Sequence, residues 1–171
     1  VTFAILQGKR DGGLTVTASH NPGEYNGIKF SPHWGGPAPT AVTNAIEGKI
    51  RPLTPADVLS LPLEQAREKD LVTDIDPRDE YLQDLATKID VNVIHQAGLK
   101  IVVDCAHGAT YRIAPEIFTE LGADVIPMGV RPNGRNINHK CGATFPETMA
   151  TLVKRHGADL GVAFDGDGDR V

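Results

Sequence analysis

Cysteine is scarce. Cys105 and Cys141 are the only two in 171 residues, so no disulfide framework holds this chain, and a reducing cytoplasm is the expected setting. Aromatic residues make up 5%, which argues against a surface on which nucleobases stack. Positive charge is not in excess. The 17 Lys and Arg are outnumbered by 22 Asp and Glu, giving a net charge of −5 and no basic footprint for nucleic acid. No apolar run approaches the roughly 20 residues that span a bilayer, so no membrane partner is expected. The opening Val1-Thr2-Phe3-Ala4-Ile5-Leu6 lacks an initiator Met and a basic segment before a long apolar core. It does not resemble a signal peptide, and the chain is expected to be a fragment of a longer one.

What is present is ordinary globular composition with punctuated α/β patterning, sized for one domain or two small ones. Gly13 to Ala18 alternates β-branched residues and reads as a strand, and Ile28 to Phe30 reads as a short one. Residues 31–39 are a Gly/Pro-rich loop. Thr40 opens a helix expected to stop at Gly48, and Thr54-Pro55-Ala56-Asp57 repeats the start signal. A domain junction is expected near Val72 to Ile75, dividing the chain into 1–74 and 75–171. A helix capped by Asp76 should then present Tyr81, Leu82, Leu85 and Ile89 on one face.

Beyond it the α/β alternation is plain. Lys100-Ile101-Val102-Val103-Asp104 is apolar on both faces, as buried parallel strands are. A helix over 111–121, a strand over 124–128, a helix over 146–156 capped by Thr144 and a strand over 160–164 follow. The last strand delivers Asp165 at its carboxyl end, where open α/β sheets place their ligand sites.

Three stretches carry chemistry. Asp165-Gly166-Asp167-Gly168-Asp169-Arg170 sets carboxylates at alternate positions with glycines between, so the backbone can curl and the oxygens converge. Hard, charged, oxygen-only ligands suit Mg²⁺ or Ca²⁺. An EF-hand is the obvious decoy, but it needs Gly at its sixth position, where Arg170 stands, and a helix leading in. A solvated loop is the plain alternative. Thr17-Ala18-Ser19-His20-Asn21-Pro22 presents a hydroxyl after a strand, and Asn26-Gly27-Ile28-Lys29 adds a cation. Taken alone, Ser19 is more often a cap than a nucleophile, and Thr17 and Asn21 stand where a G-x-S-x-G elbow has glycine. A serine, a Mg²⁺-type loop and cations together point to phosphoryl chemistry. Cys105-Ala106-His107 and His139-Lys140-Cys141 hold zinc-type ligands at a spacing unlike known zinc patterns; two small buried thiols are the alternative.

Those three stretches, in that order, resemble the α-D-phosphohexomutases, the superfamily of phosphoglucomutase, phosphomannomutase and phosphoglucosamine mutase. Val102-Val103-Asp104-Cys105-Ala106-His107-Gly108-Ala109 and Asn136 through Thr144 resemble its second domain, so the likeness runs over nearly the whole chain. It implies three-layer α/β/α domains with mixed or mostly parallel sheets: the later part of domain I to residue 74, then domain II. It implies an intramolecular phosphotransferase that interconverts hexose 1-phosphate and 6-phosphate. Ser19 would be the phosphoserine. Asp165, Asp167 and Asp169 would bind Mg²⁺ with an oxygen of that phosphate. Lys29 would be the general acid/base, and His20 and Arg170 would contact the phosphoryl group. The intermediate would be a sugar bisphosphate such as glucose 1,6-bisphosphate.

Family members have four domains. Domains III and IV, with the sugar-specificity loop and a phosphate site, are not in this sequence, so the isolated chain is expected to bind Mg²⁺ without turning over sugar phosphate. Glucose or mannose phosphate is the expected substrate. Gly35-Gly36-Pro37-Ala38 resembles loops in some phosphoglucomutases, Asn136 to Thr144 looks closer to phosphoglucosamine mutase, and glucosamine phosphate is the alternative. A Mg²⁺-dependent phosphatase or a non-catalytic relative stays open.

Overall fold

The computed structural model describes residues 1–171. Seven helices and five strands occur in the order α1 (Thr2–Gln7), β1 (Gly12–Val16), β2 (Ile28–Pro32), α2 (Thr40–Ile50), α3 (Leu63–Glu68), α4 (Arg78–Ala86), α5 (Val91–Ala97), β3 (Lys100–Asp104), α6 (Ile113–Glu120), β4 (Asp124–Met128), α7 (Glu147–His156), β5 (Leu160–Ala163). Packing divides them into two units. One holds Val1–Thr15 and Lys29–Leu85, the other Val16–Ile28 and Ala86–Val171.

In the first unit β1 pairs with β2. Several local expectations shift here. Gly48 does not end α2, which runs on to Ile50. A Cβ at Gly48 would meet nothing within 4 Å, and the stop falls instead before Pro52, which has no N–H to extend the ladder. Thr40 is not the cap either: Pro39 occupies that position. The start signal at Thr54 is real, with a reciprocal capping box to Asp57, but it opens only a 3-10 turn over Pro55–Asp57. Helix α4 stops at Ala86, so Ile89 lies beyond its apolar face. Tyr81 on that face packs edge-on against Phe3, with ring centroids 5.3 Å apart.

The second unit is built on β3. It is the middle strand of a parallel sheet, order β4-β3-β5, with Val102 beside Ile126 and Gly161. Val102 and Val103 are fully buried, which is why this stretch reads as apolar on both faces. Ile101, Val103 and Cys105 form one face of the core with Ala114 and Phe118 of α6. The opposite face carries Val102 and its neighbour Gly161, whose missing side chain makes room for Met149 and Val153 of α7. Helix, sheet and helix therefore stack as an α/β/α unit. Helix α7 begins at Glu147 with Pro146 as its cap residue, not Thr144, and ends at the left-handed Gly157.

Both cysteines are buried, and neither is in a disulfide. Burial pushes each thiol up to about 11, and the nearby Asp104 carboxylate adds to it. For Cys105 the Thr110 hydroxyl works in the opposite direction, and less strongly than burial.

Beyond β3 the chain makes a tight turn. Ala106 and His107 are both left-handed, at φ 52°. Gly108 then lies so close to the Gly166 carbonyl that any Cβ would overlap it, while the Ala109 N–H donates to that same carbonyl at 2.8 Å. Gly108→Ala should therefore destabilise the protein by about 1–3 kcal/mol, as overpacking does. Its denaturant midpoint should fall at unchanged m-value; a midpoint equal to wild type would mean the two turns can separate freely.

A candidate phosphoserine and metal centre

The turn at Gly108 supports the acidic loop, and the acidic loop meets Ser19. All these residues belong to the second unit, which includes Val16–Ile28. Strand β1 ends at Val16, so Thr17 and Ala18, expected in the strand, begin the loop instead. The Thr17 Oγ1 accepts from the Ser19 N–H at 2.8 Å and donates to Asp167 Oδ2 at 3.0 Å. Ser19 itself is left-handed, at φ 54°. That region costs a non-glycine residue roughly 1–3 kcal/mol and persists where surroundings impose it.

The Ser19 hydroxyl lies 2.8 Å from Asp165 Oδ2 and 3.2 Å from Asp167 Oδ1. Arg170 Nη2 donates to the same Oγ and contacts His20 Nδ1 at 2.6 Å. An arginine only donates, so His20 Nδ1 is the acceptor and the imidazole proton belongs on Nε2. Asp165 is 1% exposed, and its charge is met by the Arg170 side chain, with Nε 3.1 Å from Oδ2, and by the Arg170 backbone N–H, 3.1 Å from Oδ1. Asp169 approaches the same guanidinium at 3.5 Å.

Carboxylate oxygens of Asp165, Asp167 and Asp169 come within 4.8 Å of one another. A serine hydroxyl has one proton, yet two anionic oxygens stand within its reach. The donor set is all oxygen and highly charged, which fits Mg²⁺. The structure thus brings together Ser19, His20, Asp165, Asp167, Asp169 and Arg170 of the residues expected at the site. Lys29 stands on β2 and belongs to the first unit.

Three contributors went unread in the sequence. Thr17 lies within the serine motif and bridges Ser19 to Asp167. Asp104 is fully buried at the end of β3, its carboxylate accepting from Ala106 N at 2.9 Å and Gly142 N at 2.6 Å. A carboxylate closing an apolar strand was a usable signal. Asn138 donates from Nδ2 to the backbone oxygens of Ser19 and Asn21, at 2.8 and 2.9 Å. Within its motif, nothing in the sequence separates it from Asn136.

A serine hydroxyl, an oxygen-only acidic loop and an arginine thus meet at the carboxyl end of a parallel sheet. The family profile for phosphoglucomutase/phosphomannomutase α/β/α domain I matches residues 1–56, and that for α/β/α domain II matches residues 79–171. The chain belongs to this family, the α-D-phosphohexomutase superfamily. The phosphoglucosamine mutase of Cereibacter sphaeroides (strain ATCC 17025) is 42% identical, over 100% of this chain and 37% of its own length. That of Legionella pneumophila (strain Lens) is 42% identical, over 95% of this chain and 34% of its own length. The chain thus spans about a third of the length of these curated relatives. Among solved structures, the phosphoglucomutase parafusin of Paramecium, in its open form, shares the fold with a TM-score of 0.69. It is 22% identical, over 97% of this chain and 36% of its own. No helix is long and apolar enough to cross a membrane.

Proposed function

We propose that this chain supplies the phosphoserine and the metal-binding loop of a phosphohexomutase acting on glucosamine phosphate. The relatives at 42% identity are phosphoglucosamine mutases, and they favour this substrate over the glucose or mannose phosphate expected from the sequence. The observation that carries the reading is the meeting of the Ser19 hydroxyl with Asp165, Asp167 and Arg170 across some 150 residues of chain.

Ser19 holds the phosphoryl group between turnovers. In the first transfer a sugar hydroxyl forms a bond to phosphorus while the bond to Ser19 Oγ breaks, leaving a sugar bisphosphate. In the second, the serine takes back the phosphate from the other end of that sugar. A phosphoserine carries about −1.5 to −2 charge, so it needs cations around it. Arg170, already against Oγ and His20, supplies one. Mg²⁺, held by Asp165, Asp167 and Asp169, would supply positive charge that stabilises the transferring phosphoryl oxygens. Lys29 takes the role of general acid/base toward the sugar hydroxyl. The division into a domain I part, 1–74, and domain II, 75–171, goes with this reading, as does the need for domains III and IV.

The test uses the whole protein that carries this chain, with Mg²⁺, against glucosamine 6-phosphate, glucose 1-phosphate and mannose 1-phosphate. Isomerisation of the glucosamine ester with the highest kcat/KM is the expected result. Preference for glucose or mannose phosphate would restore that reading. Release of inorganic phosphate would indicate a phosphatase, and no reaction with any ester a non-catalytic relative.

A further inference from the structure

We propose that Asn138 is the positioning residue that sets the Ser19 hydroxyl against the acidic loop. The inference rests on the mutase reading for its catalytic consequence and on geometry alone for the anchor itself.

Asn138 is tied down before it acts. Its backbone N–H donates to the Ala106 carbonyl at 2.9 Å. Ala106 in turn donates to the fully buried Asp104 at 2.9 Å. The second oxygen of Asp104 takes the Gly142 N–H at 2.6 Å, closing the far end of the segment that carries Asn138. The root of the anchor is therefore the end of the central strand β3, the least exposed part of this unit.

Both side-chain donors of Asn138 are then spent on the serine loop. Nδ2 gives one hydrogen bond to the Ser19 carbonyl and one to the Asn21 carbonyl, so the amide spans the residue that carries the nucleophile and the turn after it. A left-handed Ser19 needs something to impose its conformation, and a clamp on its own carbonyl does that. There is little slack. A Cβ at Gly166 would come 2.5 Å from the Ser19 carbonyl oxygen and 2.7 Å from Asn138 Nδ2. The serine loop, the amide and the first glycine of the acidic loop are thus in close contact. Asn138 is itself left-handed, at φ 56°, a conformation asparagine tolerates better than most side chains.

The acidic loop has ties of its own. Gly166 is held through Ala109, and Asp165 through Arg170. Loss of the Asn138 amide should therefore displace Ser19 while leaving the carboxylates in place. Such a split separates a positioning residue from one that merely supports the fold.

The experiment compares wild type with Asn138→Gly and Asn138→Asp in the whole protein. Glycine deletes the amide without steric strain, because it adopts positive φ freely. Aspartate keeps the size but replaces the amide nitrogen and both its N–H donors with an acceptor facing two carbonyls. Amide hydrogen exchange over residues 17–23 should rise about tenfold or more in both, with residues 163–170 unchanged. Phosphate uptake by Ser19 from a hexose 1,6-bisphosphate, read by intact mass, should slow by about 100-fold, the scale for a nucleophile misplaced by an ångström. In Asn138→Gly, affinity for Mn²⁺, used as the metal probe, should stay within about twofold, since no carboxylate is removed or added. Unchanged exchange over 17–23, or uptake at the wild-type rate, overturns the proposal. So does Mn²⁺ affinity that falls in step with uptake. A wild type that takes up no phosphate overturns the mutase reading instead, and the exchange comparison then decides the anchor alone.

Discussion

On the function proposed above, Ser19→Ala in the whole protein that carries this chain should abolish phosphate uptake and lower mutase turnover by at least about 10⁴-fold, the scale seen when a catalytic nucleophile is deleted. The substitution removes one oxygen from a site where that oxygen meets Asp165, Asp167 and Arg170 at once. Thr17 Oγ1 is already engaged, accepting from the Ser19 N–H and donating to Asp167. Incubation with glucosamine 1,6-bisphosphate or glucose 1,6-bisphosphate and Mg²⁺, followed by intact mass, reads the first effect directly. A phosphate-sized gain in wild type and none in the variant assigns the covalent group to Ser19. Equal gain in both would place it on another residue and remove the central role given to this hydroxyl. Folding should survive the change, because the loop's ties through Asn138 and Thr17 are to the Ser19 backbone.

Asp167→Asn should weaken divalent metal binding by at least about 100-fold, beyond the 10- to 100-fold that loss of an outer-shell partner costs. The amide is nearly isosteric and its oxygen can still accept from Thr17, so packing is preserved while one charge leaves a cluster whose oxygens lie within 4.8 Å. The sign of the stability change should depend on the metal. In chelator the variant should be as stable as wild type or more so, because one carboxylate repulsion is gone. In Mg²⁺ at 100 times the wild-type Kd, wild type gains about 2.7 kcal/mol by linkage, and the variant should gain almost none. Thermal melts with and without Mg²⁺ check both halves. A variant that gains as much from Mg²⁺ as wild type would put the metal elsewhere. Asp165 is the less informative member to change, because it also neutralises Arg170, and its loss would leave that cation without its closest carboxylate.

The local patterns were legible where a short stretch carries its own reason. Val102 and Val103 are apolar because both faces of β3 are covered, and the run itself announces that. The acidic loop is compact because glycines alternate with aspartates, so its carboxylates converge by local geometry alone. The capping box at Thr54 and Asp57 was equally readable, though not the length of what it opens. Helix ends were the weak point. Gly48 was a plausible stop, but the stop came from Pro52, and Ile89 fits a face that the helix never reaches.

The amino-acid sequence by itself determined the order of strands and helices from β3 to β5, the oxygen-only character of the acidic loop, and the placement of a hydroxyl at the end of a strand. Each is a property of residues within a few positions of one another, where backbone geometry leaves few choices. Tertiary structure decided which of these meet. Ser19 reaches Asp165 across 146 residues, and Asn138 reaches Ser19 across 119. Gly108 is required by a carbonyl more than fifty positions away, and nothing beside it in the chain shows that need. Such pairings depend on how the turn after β3 and the loops around it close on one another. That closure is set by the packing of the whole unit, and no local pattern records it.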